Sequence, residues 1–212
     1  QEVNLSIFMS SGSTALPKLI PLEYKNIDTS YNSVNKGFLK NLIFSNIVCI
    51  HDSSFVIVVN FLQAFCSRKC SKIYGVDFDN SHFSILTLLK SFKTQSSDLI
   101  ITVPSVYLSV ISSKENFTIN KLKGKSLISC GEPLNARLAM KICDGEPDNF
   151  LNLYGSTELS SWVLWLDILK FLKKENNLPP VIPAGKSLPF SEVKLGNDNE
   201  LIVNSNCVFN GY

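Results

Sequence analysis

Short β-rich apolar runs alternate along this chain with longer runs whose apolar residues recur at helical spacing, and this alternation constrains the fold more than any other sequence feature. The β-rich runs lie at residues 5–9, 47–50, 73–76, 99–103, 126–129 and 150–154. The clearest helical runs lie at residues 81–92 and 135–143, and the apolar run at residues 55–65 predicts a buried helix. Strands that alternate with helices are typical of a parallel sheet covered by helices. We therefore predict an α/β fold with a mostly parallel sheet flanked by helices.

The pattern changes after Tyr154 and becomes β-rich near the C-terminus. Three prolines and a glycine between residues 179 and 185 interrupt the periodicity as a linker would. Two β-rich runs then flank a turn-forming segment at residues 196–199, which predicts a hairpin. We expect residues 1–180 to form a central α/β subdomain and residues 181–212 to be a truncated β-rich segment.

Composition argues against several classes of partner. The chain carries 20 Lys and Arg against 18 Asp and Glu, so its net charge of +2 provides no broad basic field for nucleic acid or an anionic membrane. Its longest apolar run, at residues 55–65, is far shorter than the roughly 20 residues of a membrane-spanning helix. The six cysteines lie mostly in apolar segments, which favours buried thiols over a disulfide scaffold. We expect a cytoplasmic protein with no nucleic-acid partner and no membrane span.

A segment rich in hydroxyl groups, residues 10–18, follows the first β-rich run and has the chemistry of a phosphate-binding loop. It combines four Ser and Thr side chains with one glycine and one lysine. Hydroxyl groups and backbone amides can wrap a polyphosphate, and a lysine adds positive charge. A solvated serine-rich turn is the alternative. A Walker loop is excluded, because Ile119 and Pro180 stand where the first glycine should precede the two Gly-Lys-Ser triplets.

Four segments together resemble motifs of the adenylate-forming superfamily, which includes acyl-CoA synthetases, luciferases and peptide-synthetase adenylation domains. Residues 10–18 resemble its Ser-Gly-Ser-Thr-Gly-x-Pro-Lys loop, and residues 129–134 resemble its Gly-Gly-Glu-x-Leu segment. Residues 152–158 are similar to its Asn-x-Tyr-Gly-x-Thr-Glu motif. Residues 200–212 resemble its segment from Gly-Glu-Leu-x-Ile to Gly-Tyr. The four matches stand in the family's order and span nearly the whole chain.

The resemblance implies roles for residues in three of these segments. The ATP phosphates would be held by the hydroxyl-rich loop through Ser11, Gly12, Ser13, Thr14 and Lys18. Gly131 and Glu132 would lie near the adenine, and Tyr154 would pack against it. Thr157 would face the α-phosphate and Glu158 would bind Mg²⁺, which makes these two residues the catalytic candidates. Such a set suits adenylation, because the phosphorus attacked by a carboxylate carries negative oxygens whose charge must be offset.

The resemblance also implies a reaction and its partners. The parent enzyme would be a ligase that uses ATP and Mg²⁺ to activate a small carboxylic acid or amino acid. It would pass the acyl group to a phosphopantetheine thiol, on coenzyme A or on a carrier domain. Residues 154–162 look most like the branch of the superfamily that activates β-alanine.

Two residues depart from the family pattern. Ala15 stands at a glycine position of the phosphate loop, where a positive φ would strain it, and Cys130 replaces a glycine beside the adenine pocket. These departures leave open a degenerate, non-catalytic domain that keeps the fold for an interaction or regulatory role. A third hypothesis is a hydrolase that pairs Ser11 or Ser13 with Lys18.

The resemblance predicts that this chain binds Mg-ATP weakly but forms no acyl adenylate at an appreciable rate. It implies a central fragment, because the family's ribose-binding aspartate and catalytic lysine belong to segments that follow the final Gly-Tyr. Loss of one well-placed electrostatic donor typically slows a reaction by roughly 10² to 10³. ATP–pyrophosphate exchange with β-alanine and other acids measures this, and robust acid-dependent exchange would contradict the fragment hypothesis.

Overall fold

The computed structural model describes residues 5–10, 18–50, 72–75, 98–113 and 119–211. The helices predicted at residues 55–65 and 81–92 lie outside the described residues. So do the loop residues 11–17, which contain most of the predicted phosphate contacts.

The described chain begins with an antiparallel hairpin. Its strands are β1 (Leu5–Ser10) and β2 (Lys18–Glu23), with Ser10 paired to Lys18. One face buries Ile20 and Leu22 against the following helix, α1 (Tyr24–Gly37). On the other face Ile7, Met9 and Leu19 are exposed. The loop that was predicted to bind phosphate therefore joins two paired strands.

A seven-stranded sheet forms the centre of the molecule, in the order β4-β3-β5-β6-β7-β8-β9. Its strands are β3 (Asn46–Cys49), β4 (Lys72–Gly75), β5 (Asp98–Thr102), β6 (Ser126–Cys130), β7 (Asn149–Ser156), β8 (Ser161–Asp167) and β9 (Lys186–Ser187). The strands from β4 to β7 are parallel, and β8 and β9 are antiparallel to their neighbours. Every residue of β3, β5 and β6 is buried, as expected for strands covered on both faces. The predicted mostly parallel sheet is confirmed.

Helices cover both faces of this sheet. The helices α2 (Pro104–Ser112), α3 (Ala136–Cys143) and α4 (Ile168–Lys174) pack on one face, where their apolar residues join Ile100, Leu127 and Phe150 in a single cluster. On the opposite face the end of α1 places Val34 and Phe38 against Leu99, Ile128 and Leu151. The sequence predicted α3 but neither α1 nor α2. Three short 3₁₀ turns at Leu39–Asn41, Ile119–Leu122 and Thr157–Leu159 complete the described helical structure.

The C-terminal part is β-rich, as predicted. Strands β10 (Ser191–Leu195) and β11 (Leu201–Ser205) form a second antiparallel hairpin around the predicted turn. The boundary near residue 180 stays a prediction; β9, which follows it, pairs with β8 of the large sheet. Within the described residues, no helix has the length and apolar character needed to cross a membrane.

The buried side chain of Asn26 joins α1 to the C-terminal segment. Its Oδ1 accepts a hydrogen bond from the Glu23 amide at 2.9 Å, which caps the start of the helix. Its Nδ2 donates to the carbonyl oxygens of Asn206 and Val208, each at 2.9 Å. A second polar residue of α1, Ser33, donates to the carbonyl of Pro189. The face that α1 buries is therefore held by hydrogen bonds to distant backbone as well as by apolar contacts.

Replacing Asn26 with Ala should lower the free energy of unfolding by about 2–4 kcal/mol, because it leaves buried backbone groups without partners. The matched control is Asn32→Ala on the same helix, since Asn32 is exposed and bonds only to Asp28 in the described contacts. Both substitutions replace the same residue type on the same helix, so the difference reports the cap and the buried hydrogen bonds of Asn26. Urea unfolding followed by circular dichroism measures it, and equal midpoints for the two variants would contradict the role given to Asn26.

Candidate nucleotide-binding edge

Most of the predicted site residues that the structure describes lie at the carboxyl edge of the parallel strands. Cys130, the last residue of β6, pairs with Leu153 of β7. Gly131 and Glu132 directly follow β6, and Tyr154 is the next residue of β7. Ligands of open parallel sheets bind at this edge, because loops from neighbouring strands meet there.

The pairing of β7 with β8 shifts between Tyr154 and Gly155, where β8 carries the extra residue Val163. The strand β7 ends at Ser156, and the 3₁₀ turn with Thr157 and Glu158 follows it directly. The side chain of Tyr154 is 45% exposed, although the rest of the strand before it is mostly buried. A Cβ atom at Gly155 would lie only 1.7 Å from the carbonyl oxygen of Ser161. Only glycine fits this close approach of β8 to β7.

The residues after the 3₁₀ turn adopt unusual backbone conformations. Ser160 has φ 55° and Ser161 has φ 136°, both positive and neither a glycine. The Ser160 hydroxyl donates to the carbonyl of Cys207 at 2.6 Å, whereas the buried Ser161 hydroxyl has no hydrogen-bond partner among the described residues. Such conformations cost about 1–3 kcal/mol each and concentrate at functional sites. The turn with Thr157 and Glu158 is thus held in one shape by its surroundings.

The N-terminal hairpin lies beside this turn. Residues of β1 and of β2 have Cα atoms within 8 Å of residues in Thr157–Leu159. Lys18, at the start of β2, is exposed. The structure therefore brings the strands that flank the hydroxyl-rich loop next to the turn with Thr157 and Glu158. The contacts predicted for Ser11, Gly12, Ser13 and Thr14 stay predictions, because these residues lie outside the described part.

Glu158 is half-buried, and its backbone carbonyl accepts a hydrogen bond from the Phe209 amide at 2.9 Å. Over the described ranges, no group of three or more His, Cys, Asp or Glu side chains could enclose a metal ion. A single carboxylate nevertheless fits Mg²⁺, which in nucleotide sites typically takes one or two carboxylates and obtains its other oxygens from phosphates and water. The metal role predicted for Glu158 is consistent with this donor set.

The loop after β6 is tied to the start of α2. Gly131 has φ 82°, and Glu132 is exposed with its carboxylate turned to Ser105. Glu132 Oε2 accepts from the Ser105 amide at 3.0 Å, and Oε1 accepts from the Ser105 hydroxyl at 2.9 Å. The adenine contact predicted for Gly131 and Glu132 stays a prediction. Ser105 was not predicted; the Val-Pro-Ser sequence that starts α2 is the signal that could have indicated it.

Cys130, which stands at a glycine position of the family pattern, has its side chain in the core. The Cys130 side chain is 2% exposed and joins the apolar cluster that contains Trp162. Burial raises the pKa of the Cys130 thiol, and burial also raises the pKa of Cys49 to about 12. Both thiols are therefore neutral at physiological pH. The cysteine points into the core rather than toward the exposed loop that follows it.

Comparison with known sequences identifies a matching family. The family model described as AMP-binding enzyme matches residues 3–212. The D-alanine–D-alanyl carrier protein ligase of Lactococcus lactis subsp. lactis (strain IL1403) is 27% identical over 215 residues. That alignment covers 97% of this chain but 40% of the ligase, so the chain spans about two fifths of its relative's length.

Solved structures share the fold. The o-succinylbenzoate coenzyme A synthetase of Bacillus subtilis, in complex with ATP and magnesium ion, superimposes with a TM-score of 0.73 at 18% identity. The match covers 97% of this chain and 42% of that chain. The N-terminal domain of FACL13 from Mycobacterium tuberculosis gives a TM-score of 0.73 at 14% identity, with coverage of 97% and 51%. At these identities the likeness concerns the fold alone.

Replacing Gly155 with Ala should lower the free energy of unfolding by roughly 1–3 kcal/mol, because the new methyl group meets backbone that must move. Gly196→Ala is the control, since the nearest contact of its new methyl group would be the side-chain Cδ1 of Ile202 at 3.1 Å rather than backbone. Thermal unfolding compares the two variants. Equal melting temperatures would show that the bulge does not require glycine.

Proposed function

This chain belongs to the AMP-binding enzyme family, and on that premise we propose that it forms the nucleotide-binding part of a ligase that activates a carboxylate by adenylation. The proposal rests chiefly on one observation. The strands that flank the hydroxyl-rich loop lie beside the 3₁₀ turn with Thr157 and Glu158, although the hairpin and the turn are far apart in sequence.

In the proposed site, the phosphates and the adenine of ATP contact different parts of the chain. The phosphates would lie between the hairpin loop and the 3₁₀ turn, within reach of Lys18. The adenine would lie along the sheet edge, where the exposed Tyr154 ring offers an apolar face. Ser11, Gly12, Ser13 and Thr14 would supply hydroxyl and amide donors for the phosphate oxygens, and such donors favour the charge that develops at phosphorus.

The carboxylate of Glu158 would hold Mg²⁺, and Thr157 would direct its hydroxyl to the α-phosphate. When bound, Mg²⁺ offsets negative charge on the phosphate oxygens. The backbone at Glu158 is held in place, because its carbonyl accepts a hydrogen bond from the Phe209 amide. The positive φ angles of Ser160 and Ser161 define the shape of the turn that follows. The chain's own contribution is therefore the orientation of ATP for in-line attack by a substrate carboxylate.

We propose an amino acid as the substrate class and a phosphopantetheine thiol as the acyl acceptor. The name of the Lactococcus relative, which matches 97% of this chain, specifies D-alanine and a carrier protein. β-Alanine, suggested by residues 154–162, is the first amino acid to test. Coenzyme A is the alternative acceptor, since it appears in the names of the solved relatives. A cytoplasmic location, where ATP is available, completes the proposal.

Glu158→Gln and Lys18→Ala should each weaken Mg-ATP binding about tenfold, which corresponds to about 1.4 kcal/mol. Each removes one charge from the proposed phosphate and metal contacts. Glu200→Gln and Lys194→Ala are matched controls, because both residues are exposed on the C-terminal hairpin. Isothermal titration calorimetry with Mg-ATP measures the four variants. If the controls and the site variants bind equally well, or if the unaltered chain does not bind ATP, the proposed site is wrong.

A further inference from the structure

Two loops meet at the edge proposed to bind the nucleotide base. The first joins β5 to α2 through Val103, and the second begins at Gly131 after β6. A Cβ atom at Gly131 would lie 3.3 Å from Cγ1 of Val103, so the two loops are in close contact. The second loop is anchored at Leu134, whose side chain is fully buried. The Leu134 carbonyl accepts a hydrogen bond from the Ile182 amide at 2.8 Å. Residues 131–133, between the end of β6 and Leu134, are exposed.

A bidentate contact fixes this exposed stretch to α2. The Glu132 carboxylate accepts from both the amide and the hydroxyl of Ser105, at 3.0 Å and 2.9 Å. The Ser105 amide is one of the amides at a helix start that have no partner within the helix. A carboxylate is favoured there by the helix dipole, and hydrogen bonds to a charged acceptor are stronger than neutral ones. Both side chains are exposed, so core packing does not explain their alignment.

We propose that Ser105 is a positioning residue for adenine binding: through Glu132 it fixes the backbone at residues 131–133, at the sheet edge where Tyr154 also lies. This inference rests on the proposed function. The strand pairing supports it, because Cys130 and Leu153 are paired and the following residues, Gly131 and Tyr154, leave the same edge. A planar purine needs such a fixed surface at the edge with the aromatic ring, whereas the proposed phosphate contacts come from the hairpin loop and the turn with Thr157 and Glu158. Ser105 therefore affects the base without affecting the phosphates.

Two probes separate this role from a general structural one. Mg-ATP carries the base, and Mg-tripolyphosphate carries only the phosphates. Calorimetric titration of Ser105→Ala should show about fivefold weaker binding of Mg-ATP, as expected from loss of one hydrogen bond to a fixed carboxylate. Binding of Mg-tripolyphosphate should be unchanged. Ser105→Thr, which keeps the hydroxyl, should restore ATP affinity, and the control Ser112→Ala in the last turn of α2 should bind both probes normally.

Three results would overturn the inference. Unchanged ATP affinity of Ser105→Ala, with normal binding by the unaltered chain, would overturn the role of Ser105 and leave the proposed function intact. Equal weakening of both probes would show that Ser105 supports the fold rather than the base site. Absence of ATP binding by the unaltered chain would overturn the proposed function and, with it, this inference.

Discussion

The arrangement of this molecule depends on the hydrogen bonds that the buried polar side chains of α1 make with distant backbone. The amide group of Asn26 is buried and bonds to the backbone at Glu23, Asn206 and Val208. A buried amide without these partners would cost several kilocalories per mole in a medium that cannot form hydrogen bonds. The N-terminal hairpin must therefore stay with the C-terminal segment, and that segment donates from Phe209 to the carbonyl of Glu158. Through this chain of contacts the hairpin is held beside the turn that follows β7.

The sheet edge adds a second constraint, which concerns backbone shape rather than hydrogen bonding. Gly155 lets β8 approach β7 so closely that no other residue fits, and two serines with positive φ complete the turn. Strain of this kind persists only where the surroundings determine it. Here the Ser160 hydroxyl donates to the carbonyl of Cys207. The preceding residue, Asn206, accepts a hydrogen bond from the Asn26 side chain. Both constraints therefore meet at the same C-terminal segment, and the proposed site depends on it.

Apolar periodicity was enough to predict the parallel strands and α3, because these elements bury apolar residues with regular spacing. It missed α1, because three of the five buried residues of that helix, Asn26, Ser30 and Ser33, are polar and interrupt the apolar spacing. The partners of that face lie at the other end of the sequence, where no local pattern reveals them. The order of the motifs predicted that these segments share a site. That stays a prediction, and the sheet topology explains why the segments that follow β6 and β7 lie at one edge. The contact of Glu132 with Ser105 was not predictable, since it joins two exposed polar residues from separate loops.

The central claim is that the hairpin loop and the turn after β7 bind one molecule of ATP together. The most direct test is a crystal structure of the chain with ATP and Mn²⁺, in which anomalous scattering locates the metal. We expect the phosphates between Lys18 and the 3₁₀ turn, and a manganese peak at a bonding distance of about 2 Å from a Glu158 carboxylate oxygen. ATP bound at another edge of the sheet, or a phosphate-bound manganese remote from Glu158, would contradict the account.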